Sequence, residues 1–307
     1  MSAPKDPLLD TEATDRTYYA TGVLLDTADF IAEQSYHRGR LARALSSLHG
    51  SGTAAGLRVV HEPHADAVQE GELAVHPGVA LDPLGRMVEV SSLSCIRVRR
   101  WYEGYPAASL PRRLKADFNV SPDTADLPAE GVVADLFVRF RIYERGWTPA
   151  LASGLYDATD AVSPARLRDG YELRLVPRTE SGIPNVPLQP WPLPLGGTPY
   201  PDPTVAEADR RKALKEAILG SWQPGRPALL DALMKSSFLP VELLTDSSQP
   251  DNRSEDPAWV FLARVVIGLQ GGTDASGRGV RSGTVAVDNN LRPFAVTAAA
   301  LARWLGI

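Results

Sequence analysis

The sequence predicts an α+β fold that is strand-rich. Antiparallel sheets are joined by an N-terminal long helix, a central helical pair and a short C-terminal helix. Three observations carry that expectation. Residues 27–49 place apolar side chains at helical spacing. Residues 132–143 and 171–176 alternate apolar and polar side chains. Residues 204–236 return to helical spacing.

Residues 1–17 read as a polar tail. Asp26-Thr27 then supplies a cap for the first helix. Phe30, Gln34, His37, Leu41, Leu45 and Leu48 follow at steps of four and three, which makes one stripe, with Arg38, Arg40 and Arg43 mostly off it. Packing of this helix through Phe30, Leu41, Leu45 and Leu48 is expected, and Gly50-Ser51-Gly52 ends it. A short β run at Gly56–Val60 comes next, and Leu73–His76 leads into the turn signal Pro77-Gly78. Val79–Leu81 and Met87–Val90 flank Asp82-Pro83-Leu84-Gly85, the pattern of a tight antiparallel hairpin. Ile96–Val98 adds a strand, and residues 103–131 read as loop.

The run VVADLFVRFRIY, Val132 to Tyr143, is the best strand, with Leu136, Val138, Phe140 and Ile142 on alternate positions. Tyr171–Val176 is its counterpart beyond a long loop. From Pro177 to Pro203 there are nine prolines in 27 residues, which excludes regular pairing and predicts an extended arm lying on another surface. Thr204 and Glu207 form a capping box for a helix over 204–220, and a second helix spans about 227–236. Trp259–Ile267 is apolar on both faces, so it belongs at the centre of a sheet or interface. Gly271–Gly283 reads as a flexible loop, Val285–Asp288 as the last strand, and Thr297 as the cap of a C-terminal helix carrying Leu301, Trp304 and Leu305. The expected organisation is a tail at 1–17, a helix-plus-β domain at 18–100, a β-rich segment with long loops at 101–176, the arm at 177–203, and a helical pair with C-terminal strands and helix at 204–307.

Composition narrows the function classes. The chain has 307 residues, a formal net charge of −5 and 44% apolar residues, enough to bury a sizeable core. No basic field for nucleic acid is expected, and no apolar run approaches the roughly 18 residues of a spanning helix. The polar N-terminus has no apolar signal-like region, and the lone Cys95 excludes an internal disulfide framework. These features lead to an expectation of a protein made in a cytosol.

The chemistry-bearing residues are scattered. His61-x-x-His64, with His76 nearby, could offer three ligands to zinc, and the plain alternative is surface histidines in a polar loop. His37 lies on the apolar stripe beside Gln34. It reads either as a satisfied, partly buried histidine or as part of a polar layer that fixes register in a helix–helix contact. Cys95 reads as inert packing in an apolar strand. The sequence has no nucleophile elbow and no phosphate loop, and Asp117, Asp123 and Asp126 read as a solvated cluster. The expectation is therefore no catalytic residue, no metal and no cofactor.

Four separated blocks carry a resemblance. The first runs from Tyr19-Ala20-Thr21-Gly22-Val23-Leu24-Leu25 through Asp29-Phe30, Glu33-Gln34, Tyr36-His37-Arg38 and Leu48-His49-Gly50-Ser51-Gly52 to Ala55-Gly56-Leu57-Arg58-Val59. The second is Val75-His76-Pro77-Gly78-Val79-Ala80-Leu81-Asp82 with Gly85-Arg86 and Val88-Glu89-Val90. The third is Ser163–Leu173, and the fourth joins Leu262-Ala263-Arg264-Val265 to Asp288-Asn289-Asn290-Leu291-Arg292. Together they resemble an uncharacterised family that accompanies phage-tail-like contractile injection systems of bacteria. Members of that family often carry a tryptophan and cysteines where this chain has Ser51, Thr53 and Ala54, and cysteines where it has Gly154 and Asp157. The resemblance transfers no catalytic residue.

The resemblance implies a structural component of the particle, at or near the baseplate, acting through protein–protein contacts. Its expected partners are other baseplate, sheath or tube proteins, with several copies in a symmetric assembly and neither nucleic acid nor membrane insertion. The expected location is a cytoplasmic assembly, with release of the particle left open. The expected contact residues are Phe30, Gln34, His37, Leu41, Leu45, Trp191 and Tyr200. A tail-fibre-like module that stacks carbohydrate on Trp191, Tyr200 and Trp222 is the alternative, and a hydrolase stands behind both.

Overall fold

The computed structural model describes residues 6–9, 15–63, 71–149, 162–183, 233–235, 238–245 and 256–295. Eleven strands, all paired antiparallel, make three sheets among these residues. The first contains β1 (Gly52–Gly56), β4 (Gly78–Leu81) and β5 (Met87–Val90), in the order β1-β4-β5. The second is β2 (Val59–Glu62), β3 (Glu72–Val75) and β6 (Ser94–Arg97). The third runs β11 (Gly279–Asp288), β10 (Val260–Thr273), β8 (Glu130–Pro149), with β7 (Arg113–Leu114) and β9 (Val162–Pro177) both pairing with β8.

The expected α+β class is corrected by this arrangement. The body is built of antiparallel sheets, and the described helices are α1 (Thr27–His49), α2 (Val98–Gly104) and α3 (Val241–Leu244). Helix α1 buries only Ser35, Gly39 and Ala42, so it lies against the sheets rather than forming a core layer. No central helical pair occurs among the described residues. The helix expected over 204–220, most of the one over 227–236, the C-terminal helix and residues 184–203 of the proline-rich arm lie outside the described residues. No described helix is long and apolar enough to cross a membrane.

The alternating runs become strands because both faces of the third sheet find apolar partners. On β8, Val132, Ala134, Leu136 and Val138 enter the main core, while Val133 and Phe137 enter two smaller clusters on the other face. Strand β10 is central, as its two-faced apolarity predicts, and the register shift between Phe261 and Ala263 lets Leu262 and Ala263 both reach the main core. That core also takes in Leu57, Val59, Leu73, Val75, Val88 and Val98, so it joins the early sheets to the late strands.

Several local expectations change. Val98 opens α2 instead of continuing β6. The 103–131 stretch contains β7, 3-10 turns at Ala107–Ser109 and Lys115–Asp117, and the fully buried Phe118. The presumed flexible loop at 271–283 is a hairpin. Asp274 closes it by accepting hydrogen bonds from the backbone N–H groups of Ser276 and Arg278, at 2.8 and 3.0 Å. At the start of the arm, Arg178 and Ile183 are buried in the chain's own body.

Two buried charge networks tie the sheets together. Asp135 of β8 and Arg264 of β10 are cross-strand neighbours. Arg264 donates to both carboxylate oxygens, from Nε at 2.8 Å and from Nη2 at 3.0 Å. Arg178 approaches the same carboxylate at 3.4 Å and donates to the Phe238 carbonyl at 2.7 Å. The second network centres on Arg86, which pairs with Asp82 within its own hairpin, with Asp6 at 3.1 Å and with Asp256 at 2.9 Å. Asp82 in turn accepts from the Leu84 and Arg86 backbone N–H groups, fixing the β4–β5 turn.

Complete burial, with the Asp256 carboxylate adding to it, outweighs the attraction of Arg86 and pushes Asp82 up to about 6 from an ordinary 3.8. The folded chain therefore keeps a proton that the unfolded chain has already lost between pH 6 and 3.8. Lowering the pH through that window favours folding through this group, and raising it removes the gain. We expect Asp82→Asn, which retains the acceptor for both backbone N–H groups, to abolish this component. Denaturant melts at pH 7 and pH 4 should show wild type gaining on the order of 2 kcal/mol relative to the variant as the pH falls. A constant difference between the two proteins would contradict the assignment.

Candidate functional site

Helix α1 starts from a complete capping box. The Asp26 side chain accepts from the backbone N–H groups of Ala28 and Asp29, and the Asp29 side chain accepts from the backbone N–H of Asp26. The inner face of the helix is made of small residues, Ser35, Gly39 and Ala42. Ala42 lets the β4–β5 turn come very close. A side chain on Gly85, whose φ is +82°, would run into the Ala42 carbonyl. A chain of charges fixes the same side, because Arg38 lies 3.5 Å from Asp6, which pairs with Arg86.

The apolar stripe is therefore turned outward, which corrects its expected packing within the chain. Phe30, Leu41 and Leu48 are 51%, 61% and 73% exposed, Gln34 and His37 are exposed, and Leu45 is half-buried. At 3.6 residues per turn the stripe lies on the side of the helix opposite Gly39. The physical reason is distance. Ala42 fits against the turn at Gly85, and Ser35 and Gly39 are buried on the same face, so the larger side chains are left outside. The segment leading into the helix adds Tyr18, Tyr19, Val23 and Leu24 to the exposed apolar surface. Trp191 and Tyr200, expected to share in contacts, lie outside the described residues, as does Trp222.

A second projecting element was not anticipated. Strand β10 pairs with β8 only as far as Val138, whereas β9 continues to pair out to Pro149. Beyond Val138 the two strands form a ribbon whose outer part exposes Tyr143, Trp147 and Leu167. Its base is held by Glu172, which pairs with Arg139 at 2.8 Å and Arg141 at 3.4 Å, and by the Tyr143 hydroxyl donating to the Tyr171 carbonyl at 3.0 Å. Little in the sequence marks it, since the alternation at Leu136, Val138, Phe140 and Ile142 ends at Glu144, and the length of the ribbon needs the pairing register.

The remaining chemistry-bearing residues do not converge. His37 and His76 are exposed, and His61 sits half-buried on β2, where burial lowers its pKa. His64 lies outside the described residues. Among the described residues, no group of three or more His, Cys, Asp or Glu side chains could hold a metal ion. Cys95 is exposed on β6 rather than packed, and desolvation followed by the Glu72 carboxylate pushes its thiol up, away from thiolate chemistry.

The resembling blocks map largely onto structural junctions. Asn289 accepts from the Val59 backbone N–H at 3.0 Å and donates to its carbonyl at 2.9 Å. Arg292 donates to the Leu57 carbonyl at 2.7 Å. Asp82 and Arg86 hold the β4–β5 turn, and Arg264 holds Asp135. Sequence reasoning passed over these buried charges as site or core residues. The available signal was a lone charge within an apolar run, Asp135 in Val132–Val138 and Arg264 in Trp259–Ile267. No protein-family model matches the chain, and no curated protein matches it.

Proposed function

We propose that this chain is a structural component of a contractile, phage-tail-like particle, seated at or near the baseplate and acting through protein–protein contacts. The observation that supports this best is the outward stripe of α1, an apolar surface on a helix whose other side is rigidly anchored to the body. Single exposed apolar side chains are ordinary, but a continuous stripe flanked by charge is the form that a partner helix or groove recognises. The β8–β9 ribbon offers a second contact element with exposed aromatic residues. The resemblance of the four sequence blocks supplies the kind of assembly. In this reading the protein is made and assembled in the cytoplasm among baseplate, sheath or tube proteins.

The test is to purify particles from producing cells and to locate the chain by labelled electron microscopy. The chain should sediment with the particles and label one end. Complete, contractile particles from cells lacking the chain would contradict the proposal.

A further inference from the structure

We propose that the outward face of α1 pairs with the same face of a second copy of this chain, antiparallel, about a two-fold axis between His37 and Arg38. This deepens the contact reading above and rests on it. The first argument is symmetry. An isologous contact requires that if residue i meets residue j, then j meets i. Within the stripe, Phe30, Gln34, Leu41 and Leu45 are spaced four, seven and four residues apart, a palindrome that leaves Leu48 outside it. Antiparallel pairing about its centre sets Phe30 against Leu45 and Gln34 against Leu41, both ways.

The second argument is charge. On the flank of that face, the first half of α1 with its cap carries Asp26 and Glu33, which also accepts from the Tyr19 hydroxyl, and the second half carries Arg40. Antiparallel pairing brings each acidic half alongside the basic half of the other copy, whereas parallel pairing sets like charges side by side. At the axis, Arg38 is already turned toward Asp6 of its own chain. The helix is about 35 Å long, and Phe30, Gln34, His37, Leu41 and Leu48 are exposed along it. His37, next to the axis, supplies the polar layer that fixes register in such a contact.

The test uses the full chain. Light scattering should give about twice the 33.1 kDa of one copy. Leu41→Glu should raise the dissociation constant about thirty-fold or more. Its melting curve, measured at a concentration where wild type is also monomeric, should be unchanged, since Leu41 is exposed within one copy. In a Cys95→Ser background, His37→Cys should form a disulfide-linked dimer readily and Phe30→Cys should not. A wild-type chain that stays monomeric, or equal cross-linking at both positions, overturns the pairing. Incorporation into particles separates this failure from that of the broader reading. If wild type is monomeric but Leu41→Glu still fails to enter particles, the stripe binds another subunit and only the self-pairing falls. If Leu41→Glu is both unchanged in mass and fully incorporated, both fall.

Discussion

Asp135→Ala should be the most damaging single substitution in the chain. The wild-type carboxylate is fully buried, and so are the side chains of Arg178 and Arg264 that approach it. Removing it leaves two guanidinium groups in the core without their shared counter-charge. Breaking a buried ion pair from one side costs about 3–5 kcal/mol, a large part of a typical folding free energy. The expected result is a chain that melts far lower or fails to accumulate. A second variant separates this cause from a general intolerance of the site. Asp135→Ala with Arg264→Met removes both charges of the cross-strand pair, and Arg178 keeps Glu180 at 3.0 Å. The double variant should be more stable than the single one. A double variant less stable than Asp135→Ala alone, or a single variant that melts like wild type, would refute the account of this network.

Arg86→Ala should have the second largest effect. Arg86 is the common partner of Asp6, Asp82 and Asp256, and its guanidinium lies 5.0 Å from the centre of the Phe140 ring. The three carboxylates pull its pKa up despite its burial, so it remains charged throughout the accessible range. Without it, three acidic side chains remain buried or nearly so around an unfilled space. A loss of about 3–5 kcal/mol is expected, roughly a 10 °C fall in melting temperature for a chain of this size. Arg86→Lys should recover little, because one ammonium cannot reproduce the fork that reaches three carboxylates. The same substitutions should loosen α1, which shares Asp6 with Arg86 through Arg38. Hydrogen exchange across residues 27–49 faster in Arg86→Ala than in wild type would report this directly, and an unchanged melting curve would refute it.

These networks show where sequence reasoning reaches and where it stops. Strand identity was legible, because alternation at Leu136, Val138 and Phe140 follows from the two-residue period of a strand whatever it pairs with. The span of α1 was legible from the Asp26 cap and Gly50, which are local devices. The direction in which α1 faces was not. A wheel of apolar residues suggests that Phe30, Leu41 and Leu48 point inward. The inward face is instead chosen by how close the backbone must come: Ala42 permits the approach to Gly85, and the buried residues beside it on α1 are the small Ser35 and Gly39. The contact residues named from the stripe are therefore on one surface, but for the opposite reason to the one their hydrophobicity suggests. The pairing of Asp135 with Arg264 was equally hidden, since it depends on a register that a β-bulge at Phe261–Ala263 resets. The expectation that α1 packs through its stripe failed for a simpler reason. Helical spacing predicts a helix, not what that helix covers.

The central claim is that the outward stripe of α1 is a contact surface in an assembly. Its most direct test is incorporation of Leu41→Glu into particles, measured by quantitative mass spectrometry in cells that carry no wild-type copy. The substitution places a charge on a side chain that touches solvent in the isolated chain, so folding is preserved and only contact is altered. The account predicts a soluble, normally melting variant that is depleted from purified particles. Incorporation at the wild-type level would contradict it.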